Sequence, residues 1–555
     1  MIDTYEVSGI TYWIPENDDD VIQIVNEAHK NKEVIVVRGA AHSFPLIEKL
    51  ETAAKDGRPY RFVLLSKMNA VDIDAKTGIA TVESGCHLGW DPYDLIGISH
   101  ERNSFLYQID KAGWALSDLG GITHQTIGGF MSTGSSGGST RYSFDKPLIS
   151  IEIAQFIDGA AQIVTYRNPN YDSDGKLITD PKHKVDPNDP FFGVCISMGL
   201  MGIILRITVQ CDPKFYITGS ETISLSKDSQ IDMFSEGSPE KPDMETYLTE
   251  TEFTRIMWWP QQGVNKAVVW KAKKATKSEA ISYASAAYQK EGLKDHPPLK
   301  EYEEVPFIFG SAAPATLGAD FIYSTIGRWP DVLKGIFVNP ALSQAINIIA
   351  RATFMPFILP KILDVFVPLD GDKGPQLFAD IGWKGLPMDN RMSDKLFPVK
   401  FTELWIPIEK STAVMQKLHH FYEGGVEHTG AFSCEIYAAM GNECWLSPAY
   451  GTNVIRIDVF WYGNNIGNPE DFYSQFWACL AEFDYRPHWG KYLPPSDQPI
   501  KSGKNDIWYG PDKLKTLYPK WDQWMQLRQK VDPDQIFLND YWREHLGIKH
   551  SKKNV

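Results

Sequence analysis

Between Gly113 and Ser139 the chain reads GWALSDLGGITHQTIGGFMSTGSSGGS, which holds eight glycines and eight serine or threonine residues. Such a run cannot be helix or regular sheet throughout. Glycine loses the most backbone entropy on ordering, and the small hydroxyl residues compete for backbone hydrogen bonds. What the run offers is bare backbone N–H and hydroxyl donors in a loop that can come close to an anion. A shorter segment has the same character: a β-branched strand from Glu33 to Val37 breaks at Arg38-Gly39-Ala40-Ala41-His42-Ser43. Two such loops, far apart in the chain, fit a long, phosphate-bearing ligand lying between them. Neither matches a dinucleotide fingerprint, which needs GxGxxG after a strand, or a phosphate loop ending in GK[ST].

The rest of the chain reads as α+β. DVIQIVNEAHK (Asp20 to Lys30) has the apolar spacing of a short amphipathic helix, and RFVLLS and AVDIDAKTGIATVESG read as strands, the latter a hairpin closed by Lys-Thr-Gly. LISIEIAQFIDG returns to strand. NPNYDSDGKLITDPKHKVDPNDP is a polar surface loop; its faint likeness to a calcium loop fails at Pro181, where a clamping glutamate belongs. Longer helices and aromatic-rich strands follow Pro213, and the character changes again near 471. At roughly 150 residues per domain, 555 residues suit two to four domains. The division expected is 1–212, 213–470 and a C-terminal segment, 471–555, that returns to the first domain. The apolar stretch Ala345 to Pro368 carries Arg351, Lys361, Asp364 and three prolines, so it reads as a buried or cleft-lining segment and not a membrane span.

Fifty-five basic against 70 acidic residues give a net charge of −15, which argues against nucleic acid as a partner. The six cysteines are scattered and form no CxxC pair, and the first residues lack the basic-then-apolar pattern of a signal peptide, so a reducing, cytoplasmic setting is expected. His419, His420, Glu423, Glu427 and His428 mimic a metal cluster. They follow no ligand spacing, and STAVMQKLHHFYE reads as a helix ending in dipole-favoured histidines; no metal is expected. Most of the 17 tryptophans, Trp258 and Trp259 among them, are expected in the core.

VVRGAAHS (36–43), GGITHQTIGGFMSTGSSGGS (120–139) and MGLMGIILRITVQ (198–210) together resemble the FAD-binding half of the vanillyl-alcohol oxidase, or p-cresol methylhydroxylase (PCMH)-type, flavoproteins. CWLSPAYG (444–451), RPHWGK (486–491) and DPDQIFLNDYW (532–542) resemble the aldonolactone and alditol oxidase branch. The resemblance implies a two-domain PCMH-type α+β fold with a sheet-based substrate cap. It assigns FAD to Arg38, Gly39, Ala40, Ala41, His42, Ser43, Gly120, Gly121, Thr123, Gln125, Gly128, Gly129, Ser132, Thr133, Gly134, Ser136, Gly202, Ile203 and Lys491. It also implies a covalent link from His42 to the flavin 8α-methyl group, for which a neutral imidazole is a suitable nucleophile. Relatives with a second link carry a cysteine in the second glycine loop. This loop has none, and Cys86 lies elsewhere, so a single link is expected.

In related oxidases a Glu-x-Arg pair on a cap strand faces the substrate. Here the corresponding strand is FSCEIYAAM, and the pair becomes Glu435 and Tyr437. Strand alternation keeps both on one face, but a fixed cationic fork is replaced by a hydroxyl and a ring. Lys491 and His488 are the candidates for the basic group beside the flavin and for a further contact. Ser136 stands where relatives often carry histidine. The reaction implied is oxidation of an alcohol C–OH of an aldonolactone or alditol, with hydride to flavin N5 and molecular oxygen as acceptor, giving hydrogen peroxide. Three alternatives remain: a sterol or other apolar alcohol oxidase, an NADPH-using reductase of the same fold (against which RPHWGK argues), and a non-catalytic flavin or carbohydrate binder.

Overall fold

Asn17 starts the first helix, Asp18–Asn31, by accepting from the Asp20 N–H, and three aspartates in its first turn favour the positive end of the helix dipole. One stripe, Val21, Ile24, Val25 and Ala28, is buried, as the 3.6-residue period requires. The computed structural model describes residues 2–43, 53–260, 265–290, 375–387, 399–423, 431–462, 468–502 and 505–550. Its described residues build three main sheets.

The first sheet contains β1 (Asp3–Val7), β2 (Ile10–Ile14), β3 (Val34–Arg38) and β4 (Tyr60–Leu64) in the order β1-β2-β4-β3, with β3 and β4 parallel. The second contains β5 (Val71–Ile73), β6 (Ile79–Glu83), β8 (Leu148–Ile157), β9 (Ala160–Arg167) and β10 (Ile203–Gln210) in the antiparallel order β5-β6-β10-β8-β9. A two-residue ribbon pairs β7 (Trp114–Ala115), inside the expected first domain, with β11 (Asp212–Pro213) at the boundary expected near 213. The glycine-rich run is otherwise irregular, except for one short helix, Ile127–Ser132.

The third sheet is an eight-stranded antiparallel one: β12 (Tyr216–Leu225), β13 (Phe253–Trp259), β14 (Lys266–Ala275), β15 (Gln376–Ile381), β16 (Val399–Pro407), β17 (Ala431–Ala439), β18 (Val454–Tyr462) and β19 (Arg486–Pro487), in the order β15-β12-β14-β13-β17-β18-β16-β19. Its two faces differ because side chains alternate along each strand. Leu404, Ile436, Ile455, Ile457, Ile256 and Trp258 belong to the buried core, with Val414, Met415 and Leu418 of the helix Ser411–Glu423. Trp258 meets Tyr422 edge to face at 5.7 Å. The opposite face carries Glu403, Glu435, Tyr437, Arg456 and Asp458.

The boundary expected at 471 falls inside the helix Pro469–Leu480, whose Trp477 indole donates to Thr402 of β16 at 3.0 Å. Past the helix Trp521–Val531, Ile536 accepts from the Ile35 N–H at 2.7 Å and the Gln535 carbonyl from Arg58 at 3.0 Å. Ile536 and Phe537 thereby join the cluster of Val21, Ile24 and Ile35 under the first sheet. Trp258 and Trp259 are buried. The expected apolar stretch 345–368, together with Glu427 and His428, lies outside the described residues, among which no helix is long and apolar enough to cross a membrane.

Candidate active site

A cavity of about 320 Å³ runs between the first two sheets and the polar face of the third. Two backbone segments form its N-terminal wall. At the end of β3, Arg38 donates to the Tyr12 hydroxyl at 2.9 Å, and the next residue touches the second segment. A methyl group on Gly39 would collide with Thr126 Oγ1, so only glycine lets the two loops meet here. Thr126 in turn caps the helix Ile127–Ser132 by accepting from the Gly129 N–H at 3.3 Å. Ala41 sits at φ +65, a left-handed conformation costly for a residue with a Cβ, and turns the chain so that His42 lines the cavity.

Of the residues expected to hold the cofactor, Arg38 through Ser43, Gly120, Gly121, Gln125, Gly128, Gly129, Ser132, Thr133, Ser136, Gly202 and Lys491 all line this cavity. Thr123, Gly134 and Ile203 do not. Ile203 points to the opposite side of β10, into the cluster with Val21 and Val25. Thr123 is buried against Gly89, and Gly134 abuts Ile196 and Pro448.

The wall suits FAD on its own evidence. Arg38 Nε and Gln125 Oε1 are buried there without a hydrogen-bond partner, a donor and an acceptor that a polar ligand would satisfy. Burial pushes the His42 imidazole down to about 4, with the Asp91 charge opposing, so the ring is neutral at pH 7. His124 stands beside it, with ring centroids 5.9 Å apart.

The facing wall is the polar side of the eight-stranded sheet. Directly opposed residues on neighbouring strands share a face, so the register assembles transverse rows. In one, Glu403 faces Asp458, Asp458 faces Glu435, and Glu435 faces Met257. In the next, Trp405 faces Arg456 and Arg456 faces Tyr437. On β13, β14 and β12, Arg255 faces Trp270 and Trp270 faces Glu221.

These side chains form a buried ionic network. Lys491 lies 2.5 Å from Glu403 Oε2 and 2.6 Å from Asp458 Oδ2. Arg456 Nε donates to Glu403 Oε1 at 2.5 Å, and the Tyr437 hydroxyl donates to Asp458 Oδ2 at 3.1 Å. Arg255 Nε is 3.5 Å from Glu435 Oε1. Three carboxyls this close cannot all ionise cheaply. Burial opposes the charge on Glu403, but Arg456 and Lys491 outweigh it and hold that carboxyl well below the usual range. Burial raises Glu435 against the pull of Arg255 and Lys491, and burial with the Glu403 charge raises Asp458. Glu403 therefore carries the fixed negative charge, while Glu435 and Asp458 hold their protons to higher pH than free carboxyls do. Burial would lower Lys491, but Asp458 and Glu403 raise it and keep it cationic.

His488 is buried and its pKa pushed down to about 3, chiefly by burial. Its Nδ1 accepts from the Gly490 N–H at 3.0 Å, which leaves Nε2 to donate to Ser135 Oγ at 3.2 Å. It is a neutral donor, not a base.

Glu435, Tyr437, His488 and Lys491, chosen from the sequence, thus stand in one cavity. Glu403, Arg456, Asp458 and Arg255 were missed. Their signal was present as charged residues alternating with apolar ones in TELWI, VIRIDVF and FTRIM, a pattern that puts charges on one face of a buried strand.

A family model described as D-arabinono-1,4-lactone oxidase matches residues 325–545, and one described as an FAD binding domain matches residues 11–89. The L-gulonolactone oxidase of Mus musculus is 21% identical over 549 residues, covering 97% of this chain and 95% of that protein. The L-gulono-1,4-lactone dehydrogenase of Mycobacterium tuberculosis is 20% identical, covering 96% and 95%. The D-arabinono-1,4-lactone oxidase of Eremothecium gossypii is 26% identical over 51% of this chain and 44% of its own length. Among solved structures, the cholesterol oxidase from B. sterolicum superposes with a TM-score of 0.65 at 13% identity, over 97% of this chain and 94% of that one.

Proposed function

The chain belongs to the vanillyl-alcohol oxidase (PCMH-type) flavoproteins, an FAD-dependent oxidoreductase of the aldonolactone oxidase branch, and from that premise we propose that it oxidises a C–OH group of an aldono-1,4-lactone or related polyol. The reading rests on one observation: Glu403, Glu435, Asp458, Lys491 and Arg456 face the same cavity as the two glycine loops. Bound FAD supplies the two-electron hydride acceptor, held by the Arg38–Ser43 turn and the Gly120–Ser136 segment.

The protein's residues then divide the work. Glu435, in its ionised form, accepts the proton of the substrate hydroxyl, and Arg255 beside it sustains that form. Lys491 provides positive charge where negative charge develops, and the anionic Glu403 keeps it protonated and in place. Asp458 and Tyr437 offer further polar contacts to a hydroxylated ring. His488 donates to Ser135 and takes no proton. His42, neutral and lining the cavity, would hold the flavin through its imidazole, and molecular oxygen would take up the two electrons and two protons removed from the alcohol, becoming hydrogen peroxide.

A polar network this large favours a hydroxyl-rich substrate over a sterol. Tyr437 in place of a cationic side chain, with Met257, Phe401 and Phe460 lining the same cavity, motivates the second reading, a less polar alcohol. A panel of aldonolactones, alditols and sterols, followed by peroxide release, decides between them. Turnover with lactones or alditols supports the first reading, and turnover with sterols alone overturns it.

A further inference from the structure

Residues Ser135–Gly138 run between the FAD-side wall and the eight-stranded sheet, and opposite charges grip them from two sides. On the cap side, Arg456 donates from one terminal nitrogen to the carbonyls of Ser136 at 2.6 Å and Gly137 at 2.8 Å. That guanidinium cannot swing away. Its Nε is bound to Glu403, and its carbon lies 4.3 Å from the Trp405 ring centroid and 4.2 Å from that of Tyr437. On the other side, the buried carboxylate of Asp118 accepts from the Gly137 N–H at 2.5 Å and the Ser136 hydroxyl at 2.9 Å. A Cβ on Gly137 would lie 2.5 Å from the Leu119 carbonyl oxygen and 2.7 Å from Asp118 Oδ1, so the loop has no room to retreat. The peptide unit joining Ser136 to Gly137 thus has its N–H toward an anion and its C=O toward a cation, the orientation in which both charges are satisfied by one dipole.

We propose that Asp118 and Arg456 form a charge clamp that acts through the Ser136–Gly137 backbone and fixes the cap sheet in register with the flavin cradle. The consequence, which rests on the alcohol-oxidising reading above, is that Glu435 and Tyr437 are held over the reacting carbon. Asp118 does not line the cavity and acts on it only through the loop, so it is a positioning residue. Arg456 lines the cavity and anchors the other end. Two ordinary structural hydrogen-bond sets would look similar in a list of contacts, but they would not be coupled to each other through one peptide.

A double-mutant cycle separates the two cases. Asp118→Asn keeps an acceptor for the Gly137 N–H and removes the charge; Arg456→Gln removes the other charge; Arg456→Lys restores it without the fork. In the holoprotein, each of the first two variants is expected to lower kcat about tenfold or more, since small misplacements near a reacting centre cost up to ~10²-fold. KM should move less than kcat, and the double variant should be no slower than Arg456→Gln alone. Arg456→Lys should recover part of the loss. Hydrogen–deuterium exchange of the peptide carrying Ser135–Gly138 should accelerate in both single variants.

Losses that multiply in the double variant overturn the clamp. So does unchanged exchange in that peptide, even where Tm falls. If Arg456→Gln does not fold, Ser136→Ala, which removes only the hydroxyl bond to Asp118, takes its place in the exchange measurement with the same expected direction. Should the wild-type protein oxidise none of the panel, the functional reading fails, and the exchange result still decides the clamp.

Discussion

Tyr437 and Arg456 stand directly opposite each other on β17 and β18, with the guanidinium carbon 4.2 Å from the centroid of the phenol ring. The ring covers one face of the cation while its hydroxyl reaches across to Asp458. Tyr437→Phe keeps the stacking and removes that donor. A typical hydrogen bond contributes about 1 kcal/mol, so a loss of about fivefold in kcat/KM is expected. Tyr437→Leu also removes the ring beneath Arg456 and should cost more. Steady-state kinetics on both variants checks the order; equal effects would contradict it.

Glu435→Gln removes the proposed base without changing the side chain's size. General-base catalysis contributes about 10²–10⁴-fold, and kcat should fall by that order while the visible flavin spectrum stays as in the wild type. Turnover within twofold of the wild type would take Glu435 out of the mechanism.

Arg255 sets the pH range in which Glu435 works. Burial raises the Glu435 carboxyl and Arg255 is the first charge that lowers it. In Arg255→Gln that opposing charge is gone, so Glu435 titrates at still higher pH and the acid limb of kcat/KM moves upward. A pH–rate profile of the two proteins shows the displacement; a limb that stays fixed would mean that another group controls it.

His42→Ala should abolish flavin fluorescence that migrates with the protein on a denaturing gel. The native variant should still bind flavin, because Arg38, Gly39 and the Gly120–Ser136 segment are untouched. Fluorescence persisting in the denatured band would place the link at another residue.

Glu221, which does not line the cavity, gives a stability signature. Burial raises its carboxyl from 4.5 to about 8, with Arg255 opposing, and its Oε1 has no hydrogen-bond partner. Below pH 4.5 both folded and unfolded chains hold the proton. Between 4.5 and 8 the unfolded chain releases it and the folded one does not, so stability falls as pH rises, by about 1.4 kcal/mol per pH unit. Glu221→Gln removes this loss. Thermal unfolding at pH 5 and pH 8 should show the variant gaining on the wild type at the higher pH.

The glycine loops were legible because glycine density and a strand that stops at Arg38 are local properties of the chain. Glu435 and Tyr437 were legible because FSCEIYAAM lines up with the Glu-x-Arg strand of related oxidases, and two residues at i and i+2 on a strand share a face whatever lies beside them. The alternation of Arg456, Asp458 and Glu403 with apolar residues marks one strand face, but their place in the site was not legible, because strand pairing is not local. Nothing in VIRIDVF says that it lies between TELWI and SCEIYAA, so the charge missing at 437 could not be traced to 456 on the adjacent strand. The same limit explains Ile203. It adjoins the cavity-lining Gly202 in sequence, but it is buried in the opposing core. Thr123 and Gly134 were included with their glycine-rich neighbours, and an irregular loop has no fixed period from which to read which residues point inward.

The glycine cradle and the ionic face of the cap sheet together make the proposed alcohol-oxidising site. The most direct test is to add D-arabinono-1,4-lactone, and separately an alditol, to the purified holoprotein under argon while following its visible flavin absorption. The yellow absorption should bleach within the turnover time and return on admitting air, and Glu435→Gln should slow the bleaching. An oxidised spectrum that persists unchanged with every lactone and alditol supplied would contradict it.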